Sequence, residues 1–401
     1  MGTNYGWVVV AAVIVISAIS VAMAGPVVSF FIAPMQADLG LLMLTFGLAL
    51  SARQLGFAVM GPMLGKLTDT IGARTMFMAV GVLSAAIVYS LSFVQQDWHL
   101  IVLLCLLGAV GLQGAGGDLY GSVVIAKWFG AQQRGKAMSL AFLGLPIGIF
   151  VFMPLSEHLV DTLGWQTTWQ YMGLIGGGGI VIAASFIAEP NTANVNQSAH
   201  DISQDEFHWT RAQAIRTLTF WQTAIAFGIL MFTISAVAMF RVPYLVDAGF
   251  TSRQVAFAFS TEALYSITIA AVMAILLRRF SIQILTACAF SMPIWMLVAT
   301  MWADNLFLLY LSVAFFGIGA ASCIILQNTI WPHFFGTQHI GAIRGAAMPI
   351  TLGFAVIGAP VAGWSYDATQ TFESLWIFTI VAMSLAILLI LNTKPPAQHL
   401  D

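Results

Sequence analysis

The chain has 401 residues, 60% of them hydrophobic and 7% charged, with a mean hydropathy of +0.92 and a formal net charge of −2. Soluble domains carry about 25% charged residues, so this composition excludes a soluble globular protein and points to the lipid bilayer. No basic tract is present to bind nucleic acid, and Cys105, Cys288 and Cys323 each lie in an apolar run, offering neither a disulfide framework nor a CxxC metal site.

Apolar runs able to cross about 30 Å at 1.5 Å per residue are predicted near 7–34, 43–65, 75–94, 99–126, 135–154, 168–188, 218–245, 253–277, 282–302, 305–330, 340–362 and 373–392. The expectation is an all-α membrane protein of twelve transmembrane helices. No Lys or Arg precedes the first run and no cleavage site follows it, so it is expected to stay as the first helix. The longest polar stretch falls at the midpoint. We expect an N-terminal six-helix bundle over 1–190, a linker over 191–217 and a C-terminal bundle over 218–401. Lys66, Arg74, Lys127, Arg134, Lys136, Arg211, Arg216, Arg278, Arg279, Arg344 and Lys394 all sit at one set of helix ends. The positive-inside rule puts those ends, the linker and both termini in the cytoplasm.

The second run carries an arginine in its middle, Arg53, beside Gln54. A full charge there costs about 2.5 to 3.5 kcal/mol on insertion scales, against about 0.3 to 0.6 kcal/mol gained per large aliphatic or Phe residue. It calls for a partner, a wet cavity or a bound anion. The run ends in a short polar segment, Gly65-Lys66-Leu67-Thr68-Asp69-Thr70-Ile71-Gly72-Ala73-Arg74, in which Gly65 and Gly72 are expected to turn the backbone. This G-x-x-x-D-x-x-G-x-R pattern between two membrane runs resembles the signature loop of the major facilitator superfamily. The resemblance implies two pseudo-symmetric six-helix bundles, with Asp69 and Arg74 in a cytoplasmic charge latch. Arg344, at the cytoplasmic start of the eleventh run, is expected to join that gate.

The halves echo each other. Phe31, Pro34, Asp38 and Gly40 recur as Phe240, Pro243, Asp247 and Gly249 at an offset of 209 (240 − 31), and at the same offset Arg53 meets Glu262. Trp128-Phe129-Gly130 through Trp169 likewise echoes Phe334-Phe335-Gly336 through Trp376. Arg53 and Glu262 each lie about ten residues, or roughly 15 Å, inside their runs, the depth at which repeat-built transporters hold substrate and ion. Arg53 is expected to receive a substrate carboxylate, which suits its planar fork. Glu262 is expected to carry a proton or balance charge; alternatively Arg53 and Glu262 simply neutralise each other or nearby backbone groups. Arg241 either snorkels to the surface as an anchor or reaches toward Glu262 or an incoming anion. Asp118, on a small-residue face of the fourth run, is a site or gate candidate, with Tyr120 and Gln113 nearby as further binding candidates.

Glycines at packing intervals (Gly117 and Gly121, Gly144 and Gly148, Gly341 and Gly345, then Gly353, Gly358 and Gly363 with Pro360) are expected to let helices approach closely, either as static packing or so that they slide and bend during alternating access. Tyr5-Gly6-Trp7, Gly111 to Gly148 with Trp128-Phe129, and Gly358-Ala359-Pro360 resemble the monocarboxylate and oxalate/formate porters. That resemblance implies a small organic anion as substrate, often moved with a proton, and basic residues in the eighth and eleventh helices. The eighth run has Glu262 and only terminal Arg278 and Arg279, and the eleventh has no mid-helix cation, so the sequence departs from that branch. No Walker loop, nucleophile–base set or ligand-spaced His group (His158, His333 and His339 are at loop ends) is present, so no enzyme, cofactor or metal is expected. The expected protein is a monomeric proton-coupled symporter for a monocarboxylate in a bacterial inner membrane. The alternative is a carrier of a larger aromatic or amphipathic solute, its cavity lined by Trp, Phe and Met.

Overall fold

The computed structural model describes residues 4–111, 121, 124–125, 128–129, 131–188, 209–336 and 338–394, and among these all regular structure is helical. Ten helical stretches among the described residues are long and apolar enough to cross a bilayer, and Asp97–Ala109 is a shorter apolar helix. The chain is a multi-pass membrane protein. It divides into two compact units, Met1–Ile202 with Gly249–Ser260, and Ser203–Ala248 with Thr261–Asp401. Residues 189–208, which include most of the expected linker, lie outside the described residues.

The first unit contains α1 (Asn4–Ala24), α2 (Ser29–Leu39), α3 (Met43–Ile71), α4 (Ala73–Ser90), α5 (Asp97–Ala109), α6 (Ala131–Ala141), α7 (Gly144–Tyr171) and α8 (Gly177–Ser185). It also takes α12 (Ser252–Ser260), which packs on α7. Small residues set these contacts. A side chain at Gly144 or Gly148 would meet the Ile14 or Ala18 carbonyl oxygen of α1 at 2.6 Å. The run Gly176 to Gly179 is wedged between two helices: Gly177 lies against Gly81 and Ala85 of α4, whereas Gly176 and Gly179 lie against Met23 and Ile19 of α1. A π-helical turn at Met172–Gly176 rotates the chain between these faces. By contrast, a Cβ at Gly341, Gly345 or Gly353 would face open space, so these three make no close helix contact of the kind seen at Gly144 and Gly148. The aromatic residues at the start of α1 close one end of the unit. Phe129 fills the space beside Gly6, the Tyr5 hydroxyl donates to the Phe186 carbonyl at 3.0 Å, and Trp128 Nε1 donates to the Ala188 carbonyl at 2.7 Å.

The second unit contains α9 (Arg211–Ile215), α10 (Leu218–Val237), α11 (Arg241–Asp247), α13 (Glu262–Leu276), α14 (Ile282–Met301), α15 (Leu306–Phe335), α16 (Ile340–Thr369) and α17 (Glu373–Leu391). Its core gathers Phe220, Phe227, Phe290, Trp331 and Phe335. Thr210 and Gln213 form a capping box that starts α9.

Several expected boundaries shift. The first run is interrupted at Gly25–Pro26, the seventh after Val237 and the eighth at Thr261. The fifth continues past residue 154, because Glu157, His158, Asp161 and Thr162 stay helical until Gly164, whose φ of 78° only glycine adopts without strain. Gly65 is not a turn. It sits inside α3, which runs on through Leu67 and Thr68 to Ile71, and only Gly72 (φ 84°) reverses the chain.

The repeat is visible in the backbone. Gly40 and Gly249, 209 apart, both have positive φ, 65° and 103°. Phe31 stacks on Trp169 with centroids 3.8 Å apart, and Trp376 lies 4.2 Å from the Tyr244 ring. Asp38 accepts from Trp165 Nε1 at 2.7 Å, while Asp247 is bonded by the Tyr366 hydroxyl. Partial burial lifts the Asp247 carboxyl above its usual range, and the Tyr366 hydrogen bond opposes that rise.

Candidate functional site

Arg53 lies on the tenth step of α3, so its guanidinium starts about 15 Å from the helix start. α3 crosses α5 very closely there: a Cβ on Gly108 would overlap the Arg53 carbonyl, and one on Gly56 would overlap that of Cys105. The half-buried Arg53 side chain donates from Nη1 to the carbonyl oxygen of Ala24. Ala24 is the last residue of α1. Beyond it Pro26 has no N–H to offer Ala22, and the Val28 N–H donates to Gly25 rather than to Ala24. In lipid an unsatisfied backbone carbonyl costs several kcal/mol, so a donor at the break is physically required. Arg53 supplies it. Gln54, the next residue, is half-buried on α3.

Glu262 occupies the repeat-related place, 262 − 53 = 209, at the first step of α13. Its crossing partner is also repeat-related: Gly317 of α15, 209 after Gly108, would place a Cβ 2.8 Å from the Glu262 carbonyl oxygen. Arg241 is the first residue of α11, just past the break in the seventh run. Its side chain is fully buried. Nη1 donates to Glu262 Oε1 at 3.0 Å, and the guanidinium carbon lies 4.8 Å from the centroid of the Phe316 ring. Of the two alternatives for Arg241, the inward reach is the one observed and the snorkelling anchor is not. Burial without solvent makes this pair costly to break from either side.

Other expected site residues are placed differently. Asp118 and Tyr120, with Gln113, lie outside the described residues. Arg74 is exposed on the first turn of α4 and Arg344 is exposed near the start of α16. Asp69 belongs to the last turn of α3, and its side chain is outside what is described. One candidate was missed by the sequence reading. Glu157 is buried on α7, one turn from Asp161, with His158 and Arg253 of α12 as further neighbouring charges. The apolar signal of the fifth run stops at residue 154, three residues short of it.

The sequence profile of the Major Facilitator Superfamily matches residues 10–355. The chain belongs to that superfamily. It is a family of membrane transporters and not of enzymes. Monocarboxylate transporter 4 of Rattus norvegicus is 21% identical over 339 residues, 82% of this chain and 71% of that protein. The multidrug transporter mdrA of Aspergillus fumigatus is 32% identical over 146 residues, 35% of this chain and 23% of that protein. The chain spans less than half the length of several curated relatives that it matches. Among solved structures, the nucleoside transporter NupG superposes with a TM-score of 0.75, covering 96% of this chain and 100% of that one at 13% identity. That likeness speaks to the major facilitator fold alone.

Proposed function

We propose that this superfamily member is a secondary carrier moving a small organic anion, a monocarboxylate in the first instance, together with a proton by alternating access. It acts as a monomer in a bacterial-type plasma membrane, with both termini and the Asp69, Arg74 and Arg344 gate on the cytoplasmic side. The observation that carries the reading is a guanidinium half-way along a membrane-crossing helix, at the repeat-related place of a buried carboxyl. Arg53 stays ionised in either state of the carrier, and its planar fork fits a carboxylate. Glu262 is the group that can lose and regain a proton while Arg241 balances its charge. Gln54, Tyr120 and Asp118 complete the binding and coupling set. The rat relative that shares most of this chain's length is named for monocarboxylates, which supports the substrate class.

The test is uptake of labelled lactate, pyruvate and oxalate into proteoliposomes, with and without an inward proton gradient. Uptake is expected to rise with the gradient, to fall in Arg53→Lys and to vanish in Arg53→Gln. Transport by Arg53→Gln at the wild-type rate refutes the anion site. The multidrug relative favours a second reading, a carrier for a larger amphipathic solute. Gradient-driven dye efflux without anion uptake supports that one instead.

A further inference from the structure

Each unit contains an interrupted membrane helix, and in each the residue at the repeat-related place is tied to that interruption. Arg53 of α3 holds the carbonyl of Ala24 where α1 stops. Glu262 of α13 holds Arg241 where α11 begins. The break in the first unit is made by Gly25 and Pro26. Gly25 has an extended backbone (φ −89°, ψ −158°), and a side chain there would meet the Val21 carbonyl oxygen at 2.7 Å. Pro26 removes one donor from the ladder and Val28 bonds to Gly25, so α1 and α2 are joined by a short 3-10 turn, Pro26–Val28. Discontinuous membrane helices are held in place by what re-satisfies their freed backbone groups.

We propose that Arg53 is a hinge lock on the first membrane helix, and that an anion taking its guanidinium releases the Ala24 carbonyl and loosens the Gly25–Val28 turn. Binding and movement are then one exchange: the donor that receives the substrate is the donor that had fastened the hinge. The release step rests on the anion reading above, whereas the lock itself does not. Arg53 acts on the hinge as a positioning residue. Segment α2 is held to α7 near both of its ends, by Phe31 on Trp169 and by Asp38 on Trp165 Nε1, so the loosening is confined to the Gly25–Val28 turn.

Hydrogen–deuterium exchange on the full chain in nanodiscs tests this, reading peptides that cover Gly25 to Ser29 against an internal reference in α10. Without anion, Arg53→Gln is expected to exchange about threefold or more faster than wild type in the hinge peptides only, as local opening becomes easier. Arg53→Lys, which keeps a charged donor, serves if the glutamine variant fails to fold and should show a smaller rise of the same sign. In wild type, saturating pyruvate should raise hinge exchange toward the Arg53→Gln level. Unchanged hinge exchange in both variants overturns the lock. Pyruvate that binds by equilibrium dialysis yet leaves hinge exchange unchanged overturns the release step while leaving the anion reading intact. If lactate, pyruvate and oxalate all fail to bind, the anion reading and the release step fall together, and the variants alone decide the lock.

Discussion

The Arg241–Glu262 pair makes the sharpest energetic prediction. The two side chains meet at 3.0 Å, Arg241 is fully buried and Glu262 almost so. Removing one member of such a pair costs about 3 to 5 kcal/mol, whereas replacing both by apolar groups of similar volume is about neutral or stabilising. Glu262→Leu leaves a guanidinium that cannot shed its proton, so its cost should sit at the top of that range at every pH tested. Arg241→Met leaves a carboxyl that can neutralise itself by binding a proton, so its cost should be smaller and should shrink as pH falls. The double variant should recover most of the loss, giving a coupling of about 3 kcal/mol or more, at the upper end of what contacting residues show. Equilibrium unfolding in mixed detergent micelles at pH 5 and 8 measures all four corners of the cycle. Additive single effects, or an Arg241→Met cost that grows on acidification, would refute the reasoning.

Three further outcomes follow from the helix crossings and the outer turns. Gly108→Val and Gly317→Val should each destabilise by at least about 1 to 3 kcal/mol, because the new side chain meets the carbonyl of Arg53 or Glu262 rather than a flexible tip; a thermal-shift series checks this. Gly353→Ala, which faces open space mid-helix, should be neutral or stabilising by up to about 1 kcal/mol in the same series. Trp165→Phe should cost about 1.5 to 3 kcal/mol by deleting the hydrogen bond to Asp38, and pairing it with Asp38→Asn should show the two effects to be non-additive.

Much of this was legible in the sequence, and for physical reasons. Hydropathy located the membrane runs because a bilayer leaves a chain few options besides apolar helices. The offset of 209 found Phe31 and Phe240, Asp38 and Asp247, and Arg53 and Glu262. The interruptions were less legible. Gly25-Pro26 is a readable break signal, but Ala238 to Phe240 contains neither Gly nor Pro, and Thr261 breaks a run that hydropathy makes continuous. Glu157 was lost because a polar stretch reads as a loop, although a helix of 28 residues can carry its polar end beyond the apolar segment. The pairing of Arg241 with Glu262 needed three dimensions, since 21 residues and two helix breaks separate them.

The repeat also explains why its two special positions carry opposite charges. The two units share the same crossing, seen in Gly108 under Arg53 and Gly317 under Glu262, and in each the side chain of residue 53 or 262 meets an interrupted helix of its own unit. What the residue must be is then set by what the broken helix presents. The first unit presents the end of a helix, Ala24, a carbonyl with negative partial charge, so the facing residue has to donate. The second presents the start of a helix, Arg241, a full positive charge, so the facing residue has to accept. Exchanging Arg53 for Glu would set a carboxylate against a carbonyl, and exchanging Glu262 for Arg would set two guanidiniums against each other. Either swap is expected to abolish folding rather than invert function, and Glu262→Arg combined with Arg241→Glu should rescue what the single swap destroys.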